Sequence, residues 1–132
     1  MKGLASTITK TLVPGAIITC ADNSGALDFK MVHKIGKGAR HGRMAAAGIG
    51  DIVRASVVKG SPTYIKKTVR IVIIRQKAPM KRSNGMRVKF EDNAAIMIGD
   101  DNLPIGTEVK GAIAREVVER FLKIAGVASR VV

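Results

Sequence analysis

Near the N-terminus two short apolar runs are separated by Ala21-Asp22-Asn23-Ser24-Gly25-Ala26, and its chemistry leaves the backbone little choice. Asp, Asn and Ser side chains hydrogen-bond their own backbone, and Gly25 accepts a positive φ without steric cost. The stretch predicts a tight turn. Before it lies Ala16-Ile17-Ile18-Thr19-Cys20; after it Phe29, Met31, His33 and Ile35 alternate with Asp28, Lys30, Val32 and Lys34. Two β-type runs joined by turn chemistry predict the first hairpin of an antiparallel β protein, the template for every later strand.

Downstream the same grammar repeats. Ile52 to Val58 ends at the turn Gly60-Ser61-Pro62; Val69, Ile71 and Ile73 then alternate with Arg70, Val72 and Ile74, which predicts a central strand apolar on both faces. Asn84-Gly85 sits between alternating runs and predicts a hairpin. Ala94 to Ile98 reads as a short buried strand closed by Gly99-Asp100-Asp101-Asn102-Leu103-Pro104, and Val109 to Ile113 supplies another extended segment. The period then changes. Val117, Val118, Phe121 and Leu122 fall at helical spacing with Glu116, Glu119, Arg120 and Lys123 opposite, predicting a short final helix that stops near Gly126. Residues 1–13 read as an extended arm or weak edge strand ended by Pro14-Gly15. Five or six short strands and one helix predict a mainly β protein, a small β-barrel with a helical appendage, because closure removes sheet edges. With 132 residues, 46% hydrophobic, one domain spanning 1–132 is expected, with 1–15 as arm and 114–132 as C-terminal appendage.

Charge narrows the function. There are 23 Lys and Arg against 10 acids, a net +13, and such self-repulsion points to a polyanionic partner. Nucleic acid fits better than an anionic membrane, since the basic residues do not fall on one amphipathic helix. No apolar run is long enough for a membrane span, and the N-terminus lacks the apolar region of a signal peptide. Cys20, the single cysteine, reads as a buried thiol in a reducing compartment, hence the cytoplasm.

Between Asp51 and Glu91 no acid occurs, yet eleven Lys and Arg do. Arg87 and Lys89 share one face of the hairpin, Arg75 and Lys77 extend the row, and Lys81 and Arg82 crown it. Lys66 and Lys67 add a basic loop. These donors suit the phosphates of an RNA groove, although charged edges also guard sheets against aggregation. A second patch, Lys30, Lys34, Lys37, Arg40, His41 and Arg43, lies in and beside a glycine-rich loop whose backbone can approach phosphates closely. That loop lacks the order of a nucleotide-binding loop. Phe29, Phe90 and Phe121 fall on apolar faces, which favours folded RNA over single strands, with Tyr64 the one aromatic placed to stack. Neither histidine has a ligand at metal spacing: His33 reads as a barrel-edge residue and His41 as a phosphate contact. Asp100-Asp101 read as turn formers, and no nucleophile, base and orienter come together. No enzyme, cofactor or metal is expected.

In their order, the turn at 21–26, Ala47-Gly48-Ile49-Gly50-Asp51, the Asn84-Gly85 hairpin through Phe90 and Asn93-Ala94, Pro104-Ile105-Gly106-Thr107, Gly111 and Arg115-Glu116 resemble the universal large-subunit ribosomal protein fourteen family. The 36–44 loop, the basic segment after Gly60 and the N-terminal extension resemble its archaeal and eukaryotic branch. Ile96-Met97 departs from the expected Val-rich strand. The resemblance implies a closed five-stranded antiparallel barrel with a projecting basic β-ribbon and C-terminal helical turns, bound to large-subunit rRNA. It also implies intersubunit bridges to small-subunit rRNA and contacts with ribosomal proteins three and twenty-four. A subunit anti-association factor would dock on the C-terminal part, through Arg115, Glu119, Arg120 and Lys123. A free, chromatin-type nucleic-acid-binding barrel remains the alternative.

Overall fold

The computed structural model describes residues 6–36 and 41–132, so the expectations for Lys37 and Arg40 lie outside the described residues. Turn chemistry at 21–26 does more than reverse the chain. Asp22 Oδ1 accepts the Ser24 amide at 3.2 Å and its hydroxyl at 2.6 Å, while Oδ2 accepts the Met97 amide at 2.9 Å. Asn23 Oδ1 accepts the Thr107 amide at 2.9 Å, so one turn fastens two distant segments. Gly25 stands at φ 110°. The predicted hairpin forms from β1 (Ile17–Cys20) and β2 (Ala26–Lys34), with Ile18 opposite Phe29.

β3 (Ile52–Gly60) adds antiparallel to β2, and β4 (Thr68–Arg75) to β3. β5 (Met80–Lys81) and β6 (Arg87–Val88) form the Asn84-Gly85 ribbon, only two residues per strand. β7 (Ala94–Ile98) pairs antiparallel with β4 and closes the five-stranded barrel on β1. That closing seam is parallel, Thr19 with Ala94 and Cys20 with Ala95, whereas an all-antiparallel barrel was expected. The order 1-2-3-4-7 brings two strands of the same sense together at the seam. Ile71 to Ile74 are buried without a break, each contributing about 1.5–3 kcal/mol, as the two-faced apolar pattern predicts. His33 is exposed instead of sharing the Met31 face, because the β2–β3 register shifts between them. A slip of one residue turns a side chain to the opposite face.

The C-terminal region departs further from its sequence pattern. β8 (Val109–Ile113) leads into α1 (Arg115–Arg120), and Phe121 breaks the helix at φ −127°, ψ 86° to bury its ring. α2 (Leu122–Ala125) then ends at Gly126, where the helix was expected to stop. The break rotates Leu122 outward to 76% exposure, although helical spacing placed it with the core. After it comes β9 (Ala128–Val131), parallel to β8 and absent from the sequence reading, because its residues are half-exposed or exposed and carry no apolar alternation. Among the described residues no helix is long and apolar enough to cross a membrane.

Candidate nucleic-acid interface

The ribbon turn is built as its sequence requires. The Arg82 amide donates to the Met86 carbonyl at 2.8 Å, the Gly85 amide to the Arg82 carbonyl at 2.9 Å, and Asn84 Oδ1 accepts the Met86 amide at 3.0 Å. Met80 faces Val88 and is fully buried, so Lys81 and its partner Arg87 lie on the opposite, solvent side. Lys89, two residues beyond Arg87, is exposed as well, while Val88 and Phe90 are half-buried. Thr7 of the arm bridges Lys81 through paired backbone hydrogen bonds of 2.8 and 3.1 Å, which anchors this cationic row to the body. Lys77 is exposed, its amide held by Asn93 Oδ1 at 2.9 Å.

Two arginines of the predicted row are occupied internally. Arg75 makes a two-point pair with Asp92 at 3.0 and 3.3 Å and donates to the carbonyls of Lys110 and Ala112 at 2.9 and 3.0 Å. Its guanidinium lies over Gly111, φ 79°, where an added Cβ would strike Nη1. Arg82 pairs with Glu116 at 2.9 Å and donates to the Val132 carbonyl at 2.6 Å. Ser6 adds a hydroxyl to the same carboxylate at 2.7 Å, so arm, ribbon and α1 meet at Glu116. The acid-free tract is thus acid-free along the chain but not in space.

The second patch divides the same way. Lys30, His41 and Arg43 are exposed, but Lys34 stands 3.4 Å from the buried carboxylate of Asp51. Lys10 reaches that carboxylate at 2.7 Å; the carboxylate also accepts the Gly48 amide at 2.9 Å and has Arg120 at 3.7 Å. Burial alone would push the Asp51 carboxyl up; the hydrogen bonds from Lys10 and Gly48 and the charges of Lys10 and Lys34 outweigh it and hold the carboxyl below its ordinary value. Glu116 behaves alike: burial opposes ionisation, but Arg82 and Ser6 pull the carboxyl below its usual range. Arg120, expected on an exposed face, is folded onto the barrel and donates to the Gly50 carbonyl at 3.2 Å. Arg115, Glu119 and Lys123 are exposed as expected. Lys66, at φ 66°, and Lys67 are exposed, while Tyr64 packs partly into the core instead of standing free to stack.

Sequence reasoning missed Asp51, Glu116 and Gln76 as organisers. Gln76, fully buried, accepts the Ile49 amide and donates to the carbonyls of Thr9 and Ala78, each at 3.1 Å. No local signal marked it, because Gln76 stands between Arg75 and Lys77 and reads as one more polar residue of a basic stretch. Cys20 donates to Asp22 Oδ1 at 2.8 Å; burial, then that hydrogen bond, pushes its pKa up to about 12, so the thiol stays protonated. Asp101 Oδ1 accepts the Leu103 amide at 3.2 Å, a turn contact. Among the described residues no group of three metal-ligating side chains comes together.

A family model described as ribosomal protein L14p/L23e matches residues 11–132. The chain belongs to the L14p/L23e family of ribosomal proteins. It is 47% identical to large ribosomal subunit protein uL14 of Halorubrum lacusprofundi over 132 residues, 100% of both chains. The uL14 of Thermoplasma acidophilum is 46% identical over the same full span, and that of Haloarcula marismortui 42%. These relatives are archaeal, in keeping with the branch that the loop and extension resemble. In this L14p/L23e chain Lys66, Lys67, Lys77, Lys81, Arg87 and Lys89 are exposed on a ribbon and loops that the barrel holds in place. Asp51, Asp92 and Glu116 instead turn to arginines and to Lys10 and Lys34 of the same chain.

Proposed function

We propose that the chain is a structural constituent of the large ribosomal subunit in the cytoplasm, bound to large-subunit rRNA by its exposed cations. The observation that carries this reading is the Lys81–Arg87 cross-strand pair with Lys89 beside it, exposed and without an acid in ion-pair range among the described residues. Cations held at strand spacing with no internal counter-charge need an external polyanion, and phosphate contacts supply the bulk of RNA affinity. Lys77, Lys66, Lys67, Lys30, His41 and Arg43 extend the contact, and Lys34 contributes what Asp51 leaves of its charge. Arg75 and Arg82 hold the scaffold from behind. The whole chain acts as one domain, its arm and C-terminal appendage fastened to a single core.

On this reading the protein bridges to small-subunit rRNA and packs beside ribosomal proteins three and twenty-four. Arg115, Glu119 and Lys123, around the protruding Leu122, form the docking surface for a factor that keeps subunits apart. Its role is architectural and not enzymatic. Sucrose-gradient fractionation of lysate tests the reading: the protein should sediment with large subunits after a high-salt wash. Recovery in the free fractions, with equal affinity for random duplex DNA, would instead establish the free chromatin-type barrel.

A further inference from the structure

Lys34 at the end of β2, Gly50 and Asp51 before β3, Arg70 of β4, Asn102 and Arg120 of α1 line a cavity of ≈ 410 Å³. Its charge is unbalanced: three cations face one carboxylate, and that carboxylate is already engaged. Asp51 Oδ2 receives Lys10 at 2.7 Å, the Gly48 amide at 2.9 Å and Lys34 at 3.4 Å, while Oδ1 has Arg120 at 3.7 Å. Arg70 is fixed through its fork by the Asp100 carbonyl at 2.9 Å and Asn102 Oδ1 at 2.8 Å. The Asp100 carboxylate, 3.7 Å away, is fully exposed and screened by water.

Both guanidinium groups also carry an Nε buried without a hydrogen-bond partner among the described residues, and they are the two such side-chain atoms found there. An unsatisfied buried donor is costly, more so when charged, and both belong to arginines that line this cavity, so the pair calls for an acceptor. Lys34, Arg70 and Arg120 are only 20, 19 and 22% exposed, which limits what bulk water can supply. A tetrahedral oxyanion offers several acceptors and the missing negative charge in one group.

We infer that this cavity binds a phosphate group, either a phosphodiester of bound RNA or a free inorganic anion. The RNA source rests on the function proposed above; the phosphate chemistry does not. Of the lining residues only Lys34 belonged to the RNA-contact set read from sequence, and Arg120 had been placed on a protein-docking face.

The Nε–H signals of Arg70 and Arg120 in a nitrogen-15 spectrum of the full chain test this, with Arg70→Lys and Arg120→Lys identifying each. Inorganic phosphate at low chloride should shift both signals saturably. The double lysine variant keeps the charge but lacks both Nε–H groups, and should bind phosphate at least tenfold more weakly. If large-subunit RNA shifts the same signals and added phosphate then does nothing, the occupant is an RNA phosphodiester; if phosphate still shifts them in the complex, it is the free anion. Signals unmoved by both, or lysine variants that bind as well, overturn the inference, and the wild-type spectra decide it should a variant not fold. RNA that binds while both signals stay unmoved by RNA and by phosphate alike removes the cavity's role but leaves the RNA reading intact. Phosphate shifts without RNA binding remove the RNA reading alone.

Discussion

Lys81 and Arg82 are adjacent in sequence on one short ribbon, yet their surroundings differ completely. Lys81 faces solvent opposite Arg87; Arg82 is 12% exposed and locked on Glu116 and the Val132 carbonyl. The same split runs through the molecule. Arg70, Arg75, Arg82 and Arg120 each bind an acid and a backbone carbonyl, joining barrel, ribbon and C-terminal helices. Lys66, Lys67, Lys77, Lys81 and Lys89 stay exposed. A planar fork with five donors suits several fixed acceptors at once, whereas a mobile ammonium keeps its charge in water for an outside partner. Net charge is therefore a poor guide to which cations are available.

The two classes should separate under mutation. Glu116→Ala should cost roughly 3–5 kcal/mol, because Arg82 is left buried and unpaired, and urea unfolding of the full chain measures it. Lys81→Ala beside it should stay within about 0.5 kcal/mol. Equal losses would erase the distinction. Next in size, Gly111→Ala should cost about 2 kcal/mol, since it strains a positive φ and drives Arg75 from its carbonyls. Gly25→Ala meets only ordinary contacts, the nearest at 3.4 Å, and should cost about 1 kcal/mol through its φ alone. Thermal melts of the pair rank them; a larger loss at Gly25 would contradict the role given to Arg75.

Acid should act on the internally paired class alone. Asp51 and Glu116 titrate below their ordinary values of 3.8 and 4.5, so the folded state binds fewer protons than the unfolded one. Their contribution is present above pH 4.5 and is lost as pH falls through the folded values. Midpoints followed from pH 7 downward should drop more steeply for the wild type than for Glu116→Gln. Parallel curves would show that Glu116 does not carry the acid sensitivity.

Much of this was legible from residues whose local chemistry decides their conformation. Asp22 to Gly25 and Asn84-Gly85 specified their turns, and Ile71 to Ile74 announced a strand apolar on both faces. What was not legible depended on distant partners. Nothing near Arg82 in sequence reveals Glu116, and Asp51 interrupts an apolar approach without indicating that Lys10, Lys34 and Arg120 converge on it. The helix at 115–125 left its period at Glu116, drawn inward by Arg82 and Ser6, and at Arg120, drawn onto Gly50 and Asp51, and the break at Phe121 then turned Leu122 outward. β9 escaped notice because it pairs at an exposed edge, where no burial pattern is imposed. The exposed half of the basic ribbon was readable from alternation; the neutralised half was not.

Salt dependence of large-subunit RNA binding separates the two classes in one titration, using a chain with Lys77, Lys81, Arg87 and Lys89 all changed to Gln. If these are the phosphate contacts, the slope of log affinity against log salt should fall by roughly 3–4, at about 0.9 per contact, while the melting midpoint holds. An unchanged slope would mean that the ribbon's exposed cations do not touch RNA, and that the division between internally paired and exposed cations has no functional meaning.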